Sequence, residues 1–180
     1  MRPHRRVLVV LIALLSIPLP AQVDGSRPAK DLEAVEQIDR TLKKLYAAFS
    51  FAPGESFNRE RLDPFFMPNA GFVQPAASNA TRQIDNIDKF YSDFEIFVES
   101  ARVQELGIEE TILHSRTDFY GDIAHSYVIF QPSFGDEVNP PNSRGMDSFQ
   151  LIKSAGTWRV ASMTTKFESD EQSIPERFLR

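Results

Sequence analysis

The apolar residues of this chain change their spacing once, and that single change limits the folds open to it. From Asp31 onward they fall at Leu32, Val35, Ile38, Leu42, Leu45, Tyr46 and Phe49, the three-and-four spacing of a helix with one buried face. Asp31 is placed to cap that helix. The same spacing returns at Ile84, Ile87, Phe90, Tyr91, Phe94, Phe97 and Val98 and predicts a second long amphipathic helix. Between the two, Pro53 and Gly54 end the first segment, Asn58 to Phe66 reads as a shorter helix, and Ala70 to Gln74, bounded by Pro68 and Pro75, reads as a strand. After Ala101 the pattern becomes that of strands, near Gln104 to Thr117, Ile123 to Phe134, Gly145 to Lys153 and Thr157 to Phe167. Gly121 and Gly156 mark hairpin turns, and Pro132 to Arg144 reads as a longer loop. Helices first and strands afterwards predict an α+β fold, with the N-terminal helices packed on one face of a curved antiparallel sheet.

The chain begins with Arg2, Arg5 and Arg6, an unbroken apolar run from Val7 to Leu15, and a small-residue exit ending at Ala21. That order predicts a signal peptide over residues 1–21, and with it export to the periplasm or beyond the cell. The alternative is an uncleaved anchor, but the apolar run falls short of the roughly 20 residues that span a bilayer. Residues 22–30 then read as a flexible lead, 31–169 as one domain and 170–180 as a tail. The chain has no cysteine, which excludes a disulfide framework and thiol chemistry. Its 20 basic and 25 acidic residues give a net charge of -5, and loss of the three leader arginines takes it to -8. Nucleic acid and, once the leader is gone, membrane surfaces are therefore not expected as partners, since both reward clustered Lys and Arg.

Chemistry is harder to read. On the segment from Ile123 to Gln131, His125, Tyr127, Ile129 and Gln131 share one face, and Ala124, Ser126, Val128 and Phe130 the other. The first face has the mixed polarity of a pocket wall, yet the second set is equally open to being the inward one. His114 and Asp118 lie four apart, and His125 has Asp118 or Asp147 as conceivable partners across strands. Only two histidines remain after the leader, without metal-ligand spacing, so neither a metal nor another cofactor is expected. Serine-hydrolase, phosphate-loop and dinucleotide signatures are absent. The acidic runs Glu109-Glu110 and Asp170-Glu171 read as solvated surface. Asn79-Ala80-Thr81 matches a glycosylation sequon, although an ordinary polar helix entry capped by Thr81 or Asn86 is the better explanation. The tail carries Ile174, Phe178 and Leu179, which suit docking on the body or on a second subunit.

Three stretches together resemble the nuclear transport factor 2-like superfamily, which includes SnoaL-like proteins and ketosteroid isomerases. They are YAAFSFAPGE from Tyr46 to Glu55, LDPFFMPNAGFVQP from Leu62 to Pro75, and DSFQLIKSAGTWRV from Asp147 to Val160. The resemblance implies a cone in which a strongly curved sheet wraps the helices and leaves a cavity at its open end. Isomerase-like members use a carboxylate at the end of the first strand as general base and a tyrosine late in the first helix as a hydrogen-bond donor. Tyr46 matches that tyrosine, whereas the base position falls on Gln74, whose amide accepts no proton near neutral pH. A packed core aromatic is the simpler role for Tyr46. The fold alone does not choose a reaction.

The expected function is thus an exported domain that binds a small apolar or amphipathic molecule with little or no catalysis. Its expected lining is Tyr46, Phe66, Gln74, Phe90, His125, Tyr127, Phe149 and Trp158. The alternative is a SnoaL-like or isomerase-like enzyme, an isomerase, cyclase or dehydratase, using His125 as base with Tyr46 or Tyr127 as donor. A third reading is a homodimer formed through the sheet.

Overall fold

A computed structural model describes residues 29–75, 81–84, 86–135 and 144–179. The leader, most of the lead and the sequon residue Asn79 lie outside the described residues. The first helix, α1 (Ala29–Phe49), buries Ile38, Leu42, Leu45, Tyr46 and Phe49, the stripe that its spacing predicts. It starts two residues ahead of Asp31, because Ala29 and Lys30 contain no breaker, and Asp31 sits in the first turn, where a negative charge favours the helix dipole. The expected short helix is instead two 3-10 turns, Arg59–Arg61 and Asp63–Phe65. Asn58 caps the first by accepting a hydrogen bond from the Glu60 amide, and Pro64 limits the second. The chain then enters β1 (Phe66–Pro75) and β2 (Thr81–Ile84). Asn86, accepting from the Lys89 amide at 2.9 Å, caps α2 (Ile87–Ser100), so Ile84 ends a strand and does not open the helix.

A one-turn helix, α3 (Val103–Leu106), precedes β3 (Glu109–Tyr120), where the sequence had suggested continuous strand. Gly107 makes the connection at φ +75°, with Pro53 only 2.8 Å from where a Cβ would stand, so no other residue fits there without displacement. The remaining strands are β4 (Ile123–Ser133), β5 (Gly145–Ser154) and β6 (Thr157–Phe167). The sheet order is β2-β1-β6-β5-β4-β3. All neighbours are antiparallel except β1 and β6, which run parallel, so the sheet is mixed where a wholly antiparallel one was expected. The reason is topological: β1 pairs with the last strand, across all the intervening chain, and no hairpin sets their relative direction.

The helices cover one face of this sheet, giving the α+β layering that the order of elements predicts. Ladder irregularities at Ile112/His114 on β3 and Gln150/Leu151 on β5 supply local bends. The main core joins the α1 stripe to Phe66, Phe72, Val128, Phe149, Leu151, Trp158 and Val160. A smaller cluster, Phe51, Val98, Val103 and Ile108, closes the end near α3, where Phe51 and Ile108 exchange backbone hydrogen bonds. No helix among the described residues is long and apolar enough to cross a membrane.

Candidate functional site

A cavity of about 500 Å³ opens between the helices and the inner face of the sheet. Its walls are aromatic: Phe49 from α1, Phe90, Phe94 and Phe97 from α2, Phe130 from β4, Phe149 from β5 and Phe167 from β6, with Phe134 just beyond β4. The rings brace one another, Phe49 lying 5.4 Å from Phe94 and Phe130 lying 5.5 Å from Phe167 between centroids. The Phe130 ring also approaches Gly145 so closely that a Cβ there would lie 2.5 Å from it, which explains the glycine at the start of β5.

Five polar side chains interrupt this apolar lining. Tyr46 lies on the buried stripe of α1, so its ring points into the core and its hydroxyl reaches β5, where it donates to Asp147 Oδ2. Thr165, opposite Asp147 in the β5–β6 register, donates to Oδ1 at 2.6 Å. Asp147 is 3% exposed, and both its oxygens accept from hydroxyls. Burial raises its carboxyl to about 6, and the two hydrogen bonds oppose that rise. Burial, and then the neighbouring Asp147 charge, push the Tyr46 hydroxyl well above its ordinary range.

Glu110 is a second acid. Ser50, just past α1, donates to the Tyr46 carbonyl and accepts from the Glu110 amide at 2.9 Å, so the end of α1 fixes the start of β3. The Glu110 side chain turns into the cavity, and its Oε2 is buried without a hydrogen-bond partner among the described residues. Loss of solvent, reinforced by the Asp147 charge, raises this carboxyl to about 8. Asp93 on α2, ion-paired with Lys89, completes the acidic lining.

Of the eight residues expected to line a pocket, Tyr46, Phe90 and Phe149 do so. Phe66 and Trp158 are packed in the core instead: Phe66 lies against Phe72 and Phe90, and Trp158 is 2% exposed with its ring below Lys153. The side chain of Gln74 lies outside the described residues. His125 and Tyr127 are on the opposite face of the sheet. Their strand alternates so that Ala124, Ser126, Val128 and Phe130 face the core, because the other set would bring the polar groups of His125, Tyr127 and Gln131 into it.

On the outer face His125 hydrogen-bonds Ser148 at 2.9 Å, and Asp118 stands opposite it in the ladder, whereas Asp147 faces the other way. His125 is therefore corrected as the base of a cavity enzyme, and Tyr127 as its donor. The tail returns over this face, with the Phe178 ring 5.0 Å from Tyr127. Among the described residues there is no group of three or more potential metal ligands.

Glu110 corrects a reading of the sequence as well. Glu109 is exposed, but Glu110 is not solvated surface. The signal was present in the alternation, since Glu110 and Ile112 share a side of β3 and Ile112 packs on the core.

No protein-family model matches the chain, and no curated protein matches it. Solved structures do. A protein of unknown function with a cystatin-like fold from Nostoc punctiforme superposes with a TM-score of 0.59 at 10% identity, covering 79% of this chain and 95% of that one. A nuclear transport factor 2-like protein of unknown function from Shewanella baltica gives 0.55 at 18% identity over 77% and 97%. A protein described as a provisional scytalone dehydratase from Novosphingobium aromaticivorans gives 0.51 at 12% identity over 81% and 91%. The chain has the nuclear transport factor 2-like, cystatin-like fold that its three stretches of sequence resemble.

Proposed function

We propose that this is an exported protein whose cavity binds one small, largely apolar molecule carrying a polar end. The observation that carries the proposal is the aromatic cavity itself, of a size usual for small-molecule sites and with its few polar groups gathered on Tyr46, Glu110, Asp147 and Thr165. Apolar contact with the phenylalanines supplies affinity, and the polar group orients the ligand. Nile red, a neutral solvatochromic dye, is expected to bind with one-to-one stoichiometry. Met163→Trp, which fills the cavity from β6, is expected to weaken that binding about tenfold or more, as expected for lost apolar burial. Dye binding that is indifferent to Met163→Trp would place the ligand elsewhere and sink the proposal.

One observation favours a second reading, acid–base chemistry in the same cavity: Glu110 and Asp147 titrate on either side of neutrality, leaving one acid and one carboxylate. In it Asp147 is the base that His125 cannot be, and Glu110 is the acid. Tyr46 would then have to leave Asp147 to reach a substrate oxygen, which is why binding stands first. In D2O, this reading expects exchange of the protons beside the carbonyl of a cyclic ketone to be accelerated by the native protein and not by Glu110→Gln. No acceleration by either protein rejects it.

A further inference from the structure

The aromatic walls do not discriminate among apolar ligands, so selectivity rests with the polar groups. Their inventory is one-sided. The Tyr46 and Thr165 hydroxyl protons are both given to Asp147, Glu110 presents an unpartnered buried oxygen, and Asp93 adds a third carboxylate. No lysine, arginine or histidine is among the described residues that line the cavity. We infer that the cavity selects an amphipathic amine, whose ammonium group sits between Glu110 and Asp147 while its apolar body lies among the phenylalanines.

Three physical reasons agree. A buried carboxyl with no donor is costly, and an ammonium brings both the missing donor and the missing countercharge. The Phe130 and Phe149 rings, which pack on Tyr46 in the same lining, favour a cation over a neutral group of the same shape where it lies over a ring. An anionic amphiphile, by contrast, would be buried against two acids, which disfavours it strongly. The net charge of -5 works in the same direction at longer range. The titratable groups around the Glu110 carboxyl are Tyr46 on α1, Asp93 on α2 and Asp147 on β5. None of these supplies a positive charge, and Lys89 is engaged with Asp93 at the helix surface.

This inference rests on the binding reading above, and its test separates the two. Decylamine, decanol and decanoate would compete with Nile red on the intact protein at pH 6 and pH 8.5. Decylamine is expected to bind about tenfold or more tighter than decanol at pH 8.5, an advantage that shrinks toward pH 6 as Glu110 takes up its proton. Decanoate is expected not to compete. In Glu110→Gln the preference for amine over alcohol should collapse by about the same factor, a ratio that general loosening of the fold would not move selectively. Equal competition by decanol and decylamine overturns the amine assignment and leaves the cavity a binding site. Displacement by none of the three, together with dye binding insensitive to Met163→Trp, overturns the binding reading itself.

Discussion

Asp147→Ala is expected to destabilise the protein by about 3 kcal/mol at pH 7.5, the scale seen when one member of a buried, hydrogen-bonded charged set is removed. The carboxylate is the shared acceptor for Tyr46 on α1 and Thr165 on β6, so it ties the first helix to the last two strands. Alanine leaves both hydroxyls in a desolvated place with no acceptor and opens a void beside Phe149. Asp147→Asn keeps one carbonyl oxygen for Tyr46 and is expected to cost less than half as much. Urea unfolding would read both as a fall in midpoint at unchanged slope. If Asp147→Ala lies within about 1 kcal/mol of the native protein, the hydroxyls are hydrated and the site is wetter than its geometry implies.

The second large effect is a dependence of stability on pH, most of which is lost with Glu110. An unfolded glutamate titrates near 4.3, whereas Glu110 in the folded protein titrates at about 8. Between these values the folded protein holds a proton that the unfolded chain has released, so stability falls as pH rises through the interval. Below the lower value both states are protonated and no penalty exists. Asp147 adds a penalty of the same sign, complete by about pH 6. Glu110→Gln removes the larger share. The two proteins should unfold with similar stability near pH 4, and the variant should become the more stable by on the order of 3–5 kcal/mol by pH 8.5. Thermal unfolding across that range would test it, and a difference that does not grow with pH would show the carboxyl to be solvated. On this expectation the native protein is less stable than its own amide variant at neutral pH, the kind of cost that a site prepared for a ligand carries.

Much of the fold was legible because periodicity is a local property. The stripe from Ile38 to Phe49, the second stripe around Phe90 and Tyr91, and the glycine turns at Gly121 and Gly156 needed only their neighbours in sequence to be read. The elements misread were those that depend on distant partners. Phe66 to Pro68 and Thr81 to Ile84 have little strand character of their own and are strands because β6 and β1 offer them ladders. The site was less legible for the same reason. Tyr46 was visible as a tyrosine on a buried stripe, but Asp147 became its partner only through a separation of 101 residues. His125 drew attention because imidazole titrates in a useful range, yet strand alternation left its face undecided until the core filled with Val128 and Phe130.

The sequence alone determined that two long amphipathic helices precede a run of strands, the acidic character of the chain, and the absence of thiol chemistry, because these follow from residue type and short-range spacing. Tertiary structure decided which face of β4 looks inward, that Glu110 is partly buried with its Oε2 out of water while Glu109 is exposed, and that three acids converge on one aromatic cavity. Those outcomes depend on which surfaces meet. Burial, and with it the protonation of Glu110 and Asp147, is a property of the packed interior and is not carried by either residue or its neighbours in sequence.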